Sequence, residues 1–525
     1  MSADPVFIGI DVGTGSARAG LFDQTGTYLS HASSDIQLFQ MAGGIAEQSS
    51  ADIWRAVCAS VRAAMDKAGV TAERVAGLGF DATCSMVVVG PGDDPVTISS
   101  SGDPARDVIV WMDHRAVEQA ERINDQDHDV LKYVGGRISP EMQTPKLLWL
   151  KENLPNSYQQ AAHFFDLVDY LTWRATGQTT RSTCTVTCKW TYLAHEGRWD
   201  AGYFEQLGLG DLAVDSFARI GSSVLEPGRA IPGGLGQSAA GDMGLTPETP
   251  VAIGLIDAHA GGVGTVGGRR ATDRMAYVFG TSACTMTSTI EPAFVPGVWG
   301  PYFSAMVPGL WLNEGGQSAA GAAIARLIDL HPGHREAKQK AQDAGKSVAK
   351  WLADTMPTNR NTLIIAGDLT VVPDFNGNRS PHADPHARAV IAGLSTDTDI
   401  ESLRALYAAG LLGIGYGLRQ IIETQAVNGI QVDEIVISGG AGAHPFVRQA
   451  IADATGVQVV LPTSPEPVLL GSAMLAATAS GFYRDVPDAM ENMSSDGAVV
   501  YPHSDRGSHD ERYNRFLALQ TAAAQ

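Results

Sequence analysis

Two aspartates, Asp11 and Asp257, stand where an apolar segment gives way to small, glycine-rich residues. Asp11 opens Asp11-Val12-Gly13-Thr14-Gly15-Ser16. This turn is so poor in side-chain bulk that backbone N–H groups and hydroxyls can approach phosphate oxygens closely. A carboxylate beside it would repel phosphate unless a divalent cation lay between them, and Mg²⁺ commonly takes one or two carboxylates plus phosphate oxygens and water. Arg18 either adds positive charge to the turn or forms a surface ion pair. The bare motif is also compatible with a plain hairpin. It is neither a P-loop nor a dinucleotide fingerprint, because no Lys follows the glycines and the next segment reads as a strand. Gly280-Thr281-Ser282 repeats the device between apolar segments, without an adjacent acid. That suits hydrogen-bond donation to phosphate rather than a second metal seat, with a plain hairpin again the alternative.

Asp257 ends the apolar stretch Pro250–Ile256 and precedes Ala258-His259-Ala260-Gly261-Gly262. Phosphoryl transfer to a hydroxyl passes through a loose transition state, so positioning dominates and one well-aimed carboxylate suffices to accept the alcohol proton. The alternative role for Asp257 is to cap the helix that follows. Ser438-Gly439-Gly440-Ala441-Gly442-Ala443-His444 lies between an apolar and a helical segment, where glycines let a flat adenine or ribose lie against backbone. His444 caps that helix or contacts the nucleotide. Asp81, Trp111, Asp113, Arg115, Lys189 and Glu314 are polar and aromatic types suited to sugar hydroxyls and a sugar face, but nothing in the sequence joins them.

The elements that must position these residues read as α/β. Strands are expected at Val6–Asp11, Ala17–Asp23, Thr27–Ile36, Val75–Phe80, Ser85–Val89, Pro250–Ile256, Glu434–Ser438 and Val457–Leu461. Helices are expected from a capping Ser50 or Asp52 to near Gly69, and at Phe165–Thr176, Ser318–Leu330, Ser402–Val427, Pro445–Thr455 and Leu470–Ser480. The polar tail from Ser494 is expected to wrap the surface. A chain of 525 residues exceeds one core and suggests two lobes, divided as 1–268 and 269–525, that clamp a nucleotide phosphate chain between them.

Net charge of -20 and the lack of basic runs make nucleic acid and anionic membrane poor partners. Of five Cys only Cys184 and Cys188 are close in sequence, and no His or Cys cluster completes a metal set, so the thiols read as reduced and packed as small hydrophobes. No secretory pattern opens the chain, and no uncharged apolar run of about 18 residues occurs. A cytoplasmic protein is expected.

Nine segments in order resemble the FGGY carbohydrate kinases of the actin-like ATPase superfamily. They run from Gly9-Ile10-Asp11-Val12-Gly13-Thr14 through Gly79-Phe80-Asp81-Ala82-Thr83-Cys84-Ser85, Trp111-Met112-Asp113-His114-Arg115 and Gly254-Leu255-Ile256-Asp257-Ala258-His259. They continue with Gly280-Thr281-Ser282, Glu314 to Gly321, Phe375 to Pro381, Ser438 to Gly442 and Leu470-Gly471-Ser472-Ala473-Met474. The resemblance implies two RNase-H-like lobes with ATP in the cleft. Asp11 would serve Mg²⁺, with Asp257 reaching the ion through water. Gly13, Thr14, Gly15, Ser16, Arg18, Gly280, Thr281 and Ser282 would lie at the phosphates, and Gly321, Gly439, Gly440 and His444 at the nucleoside. Asp257 would be the base. Asp81, Ala82, Trp111, Asp113, Arg115, Lys189 and Glu314 would bind the sugar. Gly79 to Val87 is similar to the ketopentose kinases, the D-ribulokinase-like branch above all, with Met86 where that branch usually has Leu. Glycerol kinases carry an Arg-Glu pair where this chain has Thr83-Cys84. The expectation is ATP-dependent phosphorylation of a ketopentose, D-ribulose first. L-ribulose, xylulose or another polyol or ketose is the alternative, and an actin-like conformational ATPase with a protein partner is the rival from another class. By analogy the enzyme is a homodimer.

Overall fold

The computed structural model describes residues 4–267, 270–358, 360–503 and 505–523. The expected lobe division between 268 and 269 lies outside the described residues.

Two sheets share one plan. In the first, the spatial order is Leu255–Ile256, Val75–Ala82, Val6–Val12, Ser16–Asp23, Tyr28–Asp35. Val6–Val12 runs parallel to Val75–Ala82 and antiparallel to Ser16–Asp23. The second sheet repeats this order with Arg274–Phe279 at its centre. Ala283–Thr289 and then Trp311–Gln317 lie antiparallel on one side, with Glu434–Ser438 and Gln458–Pro462 parallel on the other. Trp299–Phe303 and Asp496–Val500 extend its edges. A third sheet, Phe39–Met41, Ile45–Gln48, Val108–Ile109, Met86–Val89, His163–Asp166, elaborates the first lobe.

Every residue of Val6–Val12 is buried, as a central strand covered on both faces must be. One cover is the helix Ser50–Ala68, which turns Ile53, Trp54, Val57, Val61, Ala64 and Met65 inward at helical spacing. Its cap is Ser49 rather than Ser50 or Asp52, and left-handed Gly69 ends it. The other cover comes from the far end of the chain. Helix Pro467–Ala479 lies on Val6–Val12 so closely that a Cβ on Gly9 would stand 1.9 Å from the Leu469 carbonyl oxygen. The same helix meets Asp257–Val266, where a Cβ on Gly471 would stand 2.0 Å from the Ala260 carbonyl oxygen.

Three expectations change. Pro250–Ile256 is a strand only at Leu255–Ile256, with Val251 held by a single bridge to Leu78. Phe165–Thr176 splits into the strand His163–Asp166 and the helix Leu167–Thr176. The tail adds the edge strand Asp496–Val500 and a helix, Arg506–Ala523, that buries Tyr513 and Phe516. Ile400–Val427 is long and apolar enough to cross a membrane, yet 72% of its most apolar stretch is buried in the protein.

Candidate active site

Register brings three carboxylates together. Asp11 stands opposite Asp81 on the neighbouring parallel strand, and Ile256 stands opposite Ala82, so the chain delivers Asp257 just beyond the same strand ends. Arg18 holds buried Asp11 with two donors, Nε at 2.8 Å and Nη2, and extends Nη1 to Glu466 at 3.0 Å. Asp81, expected as a sugar contact, is wholly buried and accepts the Ser472 hydroxyl at 2.6 Å, while its Oδ1 has no protein partner. Burial first, then the charge of Asp11, push Asp81 well above the usual carboxylate range. Its environment therefore favours the neutral acid, held between Asp11 and Ser472. The donor set fits Mg²⁺: the Asp11 carboxylate beside the glycine-threonine turn, with the unpartnered Asp257 oxygen just beyond the same strand ends.

Asp257 is the first residue of helix Asp257–Val266, not its cap, which is Ile256. One carboxylate oxygen accepts the Ala258 N–H at 2.8 Å, and the other has no protein partner among the described residues. Burial and the charge of Asp11 raise Asp257 to about 6, against the opposing pull of the Ala258 N–H, His259 and Lys189. A half-buried carboxylate with a free oxygen and this proton affinity suits a general base at neutral pH.

Next to it, groups from both halves of the chain converge on Trp299. The Lys189 ammonium and the Arg379 guanidinium each lie 5.6 Å from the centre of its ring. Lys189 is buried on helix Thr183–Trp190. Burial opposes its charge, but Cys84 and then Glu314 hold it well above its ordinary value. Burial likewise opposes ionisation of Glu314, but a hydrogen bond from His259 and the charges of Lys189, His259 and Arg379 pull it down to about 2. Glu141 is lowered despite its burial, by His114 and then by Lys189 and Arg379. Two cations, two carboxylates and an indole, mostly out of water, form a polar cluster with one aromatic wall. Such clusters orient polyhydroxylated ligands by fixed hydrogen bonds.

Sequence reasoning picked out Lys189 and Glu314 but not Glu141, Trp299 or Arg379. Arg379 carried a signal only as part of the Phe375 to Pro381 motif. Trp111 is brought to the first glycine-threonine turn, where its indole N–H donates to Thr14 Oγ1 at 3.0 Å. Asp113 and Arg115 are not brought to the pocket. Asp113 accepts from the backbone N–H groups of Ala46 and Arg115 and from the Arg115 guanidinium, which also pairs with Glu47 at 2.9 Å and with the Ile98 carbonyl. All three side chains are at most 3% exposed. This is a buried ion network that braces the loop carrying Trp111.

The residues expected at the nucleotide fall mostly in the second lobe. The first turn closes with Gly13 N–H to the Ser16 carbonyl at 3.0 Å, and the second, one residue tighter, with Gly280 N–H to the Ser282 carbonyl at 2.9 Å. The N–H groups of Ala320 and Ala322 bond to the Thr281 carbonyl, so helix Gly321–Leu330 starts on the second turn. Beyond it a cavity of about 980 Å³ is lined by Phe279, Gly321, Tyr407, Gly440, His444 and Phe446 among others. Gly439 lies next to this lining at φ +91°, with a Cβ position only 2.4 Å from the Phe279 carbonyl oxygen. His444 caps helix Pro445–Thr455 by accepting the Phe446 N–H at 3.1 Å, and its Nε2 meets Asp354 at 3.0 Å. It thus lines the cavity with both ring nitrogens engaged. Gly15, Ser16 and Arg18 stay with the first turn, across from this cavity.

Two duplicated lobes, each with a glycine-threonine turn, an acid cluster on one and a large cavity on the other, fit a phosphotransferase of the two-lobed ATPase kind. The chain belongs to the FGGY family of carbohydrate kinases: the family's N-terminal domain matches residues 6–264 and its C-terminal domain residues 275–480. It is 44% identical to a human FGGY carbohydrate kinase domain-containing protein, over 98% of this chain and 96% of that one. It is 39% identical to a D-ribulokinase of Saccharomyces cerevisiae, over 90% of this chain and 72% of that one. Among solved structures, a xylulose kinase from Brucella ovis superposes with a TM-score of 0.81 at 21% identity, covering 98% of this chain and 99% of the other. A Plasmodium falciparum glycerol kinase with ADP gives 0.80 at 16% identity, covering 98% of each. The chain is thus a carbohydrate kinase, with ATP the phosphoryl donor its family implies.

Proposed function

We propose that this kinase phosphorylates the terminal hydroxyl of a ketopentose, D-ribulose to D-ribulose 5-phosphate. The observation that carries the reading is the adjacency of a free, basic Asp257 oxygen to the pocket of Lys189, Glu314, Arg379 and Trp299. The yeast D-ribulokinase, 39% identical, supports the choice of sugar. In this reading Lys189 and Glu314 hold the sugar hydroxyls and the keto end against Trp299, with the backbone at Ala82 beneath. Asp257 takes the proton of the attacking hydroxyl as the new P–O bond forms and the bond from the γ-phosphorus to its bridging oxygen breaks, with ADP leaving. Thr14 and Thr281, with the N–H groups of their turns, hold the phosphate oxygens, and the second-lobe cavity takes the adenosine. Asp11, with Asp257 through water, would hold Mg²⁺, which neutralises phosphate charge. Closure of the lobes excludes water, so the sugar rather than solvent is phosphorylated.

The test is sugar-dependent ADP release over a panel of D-ribulose, L-ribulose, D-xylulose, a seven-carbon ketose and glycerol. Expected is the highest kcat/KM with D-ribulose. A clear preference for another sugar refutes the substrate, and no stimulation by any of them refutes the reaction.

A further inference from the structure

Glu314 belongs to the Trp311–Gln317 strand of the second half, but the hydrogen bond that holds it comes from the first. His259 Nε2 meets Glu314 Oε2 at 3.3 Å. His259 lies two residues beyond Asp257 in the same helical turn and is buried. Its Nδ1 is 3.0 Å from the Cys184 sulfur, on the helix that also carries Lys189. That sulfur in turn accepts the Ile256 N–H at 3.4 Å. We propose that Cys184 and His259 are positioning residues that fix the Glu314 carboxylate in the sugar pocket, an inference that rests on the pocket's assignment to sugar.

A neutral imidazole has two tautomers, and only a ring with a proton on Nε2 can donate to Glu314. A bare Nε2 would set a lone pair against a buried carboxylate. Cys184 removes that choice. As a thiol it donates to Nδ1 of the neutral ring, and as a thiolate it accepts Nδ1–H of the charged ring. In both cases Nε2–H faces Glu314. Oε2 is thereby committed, and Oε1, without a protein partner among the described residues, is aimed for a sugar hydroxyl. The arrangement also ties the base, the ammonium and the carboxylate to one another, since Asp257 is two residues from His259, Lys189 shares the helix Thr183–Trp190 with Cys184, and Glu314 is bonded to His259. The ligand atoms of Cys184, Cys188 and His259 lie within 4.8 Å of one another. The 3.0 Å contact between sulfur and nitrogen is hydrogen-bond spacing. Two ligands of one tetrahedral zinc stand about 3.5 Å apart, from their bond lengths to the metal.

The variants His259→Asn, His259→Gln, Cys184→Ala and Cys184→Ser in the full-length protein test the proposal. The Asn amide occupies the Nδ1 side and leaves nothing for Glu314, whereas the longer Gln amide restores a donor at the Nε2 position. His259→Asn should raise KM for the preferred sugar about 10- to 100-fold, the worth of a hydrogen bond to a buried charge. Its kcat and its KM for ATP should change by no more than about threefold. His259→Gln should recover most of the loss. Cys184→Ala should raise the sugar KM and Cys184→Ser should not, and in the His259→Gln background Cys184→Ala should add nothing further. Independently of turnover, long-range ¹H–¹⁵N spectra of histidine-labelled protein should show a protonated His259 Nε2 in the wild type and mixed tautomers in Cys184→Ala. The His259 signals are assigned by their loss in His259→Asn. Equal damage from Asn and Gln overturns the proposal, and so does a bare Nε2 in the wild type. If no ketose is phosphorylated, the proposed reaction falls instead, and the spectra still decide whether Cys184 sets the ring.

Discussion

Replacing Asp257 by Asn should yield an enzyme that is nearly inactive and yet more stable at neutral pH. The loss of a general base costs about 10²- to 10⁴-fold in turnover, which is roughly 3–5 kcal/mol of barrier. Nucleotide affinity measured without Mg²⁺ should hardly move, because the cavity proposed for the nucleoside is lined by residues 279 to 503 and Asp257 is not among them. The stability gain follows from the same carboxylate. Its proton affinity rises from 3.8 to about 6 in the fold, a shift equivalent to roughly 3 kcal/mol against the ionised folded form. Folded Asp257 keeps its proton up to about pH 6, while an unfolded aspartate releases it near pH 4. Across that window the folded state binds more protons, so wild-type stability falls as pH rises from about 4 to 6. The amide has no such window. Its advantage should be absent below pH 4 and reach about 1–3 kcal/mol at pH 7.5, reduced from the full value because His259 and Lys189 lose a negative neighbour. Coupled ADP release, nucleotide titration and denaturant unfolding at several pH values provide the measurements. In the wild type, kcat/KM should fall with unit slope below about pH 6. Turnover of the Asn variant within tenfold of wild type, or a stability difference that ignores pH, would refute the reasoning.

Two further outcomes are expected. Lys189→Met should raise the sugar KM about 10- to 100-fold through loss of a buried charged donor, with KM for ATP unchanged in the same assay. Gly439→Ala forces a side chain into φ +91° and against the Phe279 carbonyl oxygen. It should cost about 1–3 kcal/mol, measured as a lower Tm, together with a raised KM for ATP and an unchanged KM for sugar.

The fold was legible where hydrophobic period and turn chemistry agree. Glu434–Ser438 and Pro445–Thr455 fall where the sequence puts them, because a short apolar run followed by glycines and then a capped, periodic segment has one reading. Pro250–Ile256 looked like a full strand because its composition is apolar, but apolar residues also line irregular chain packed between elements, and only two residues pair fully. At the site, the strand-end acids and the glycine-threonine turns could be found because each function there is local. The sugar pocket is not local. Asp113 and Arg115 have the right types for sugar, and only the approach of Glu47 shows that they are spent on each other. Glu141, Trp299, Arg379, His259 and Cys184 come from two loops, one strand and two helices far apart in the chain and meet only through tertiary packing, so no spacing in the chain announces them.

Helix Pro467–Ala479 covers the first sheet although it is made almost last. While the chain is being synthesised, the groove over Gly9 stays open to solvent until nearly nine-tenths of the polypeptide has emerged. The first lobe cannot mature ahead of the second, and a fragment that stops short of this helix would expose an apolar, strand-rich face suited to aggregation. Once seated, the helix leans on Val6–Val12 and on Asp257–Val266 together. Its contact at Ala260 lies within one turn of Asp257, so any shift of this helix is passed to that carboxylate.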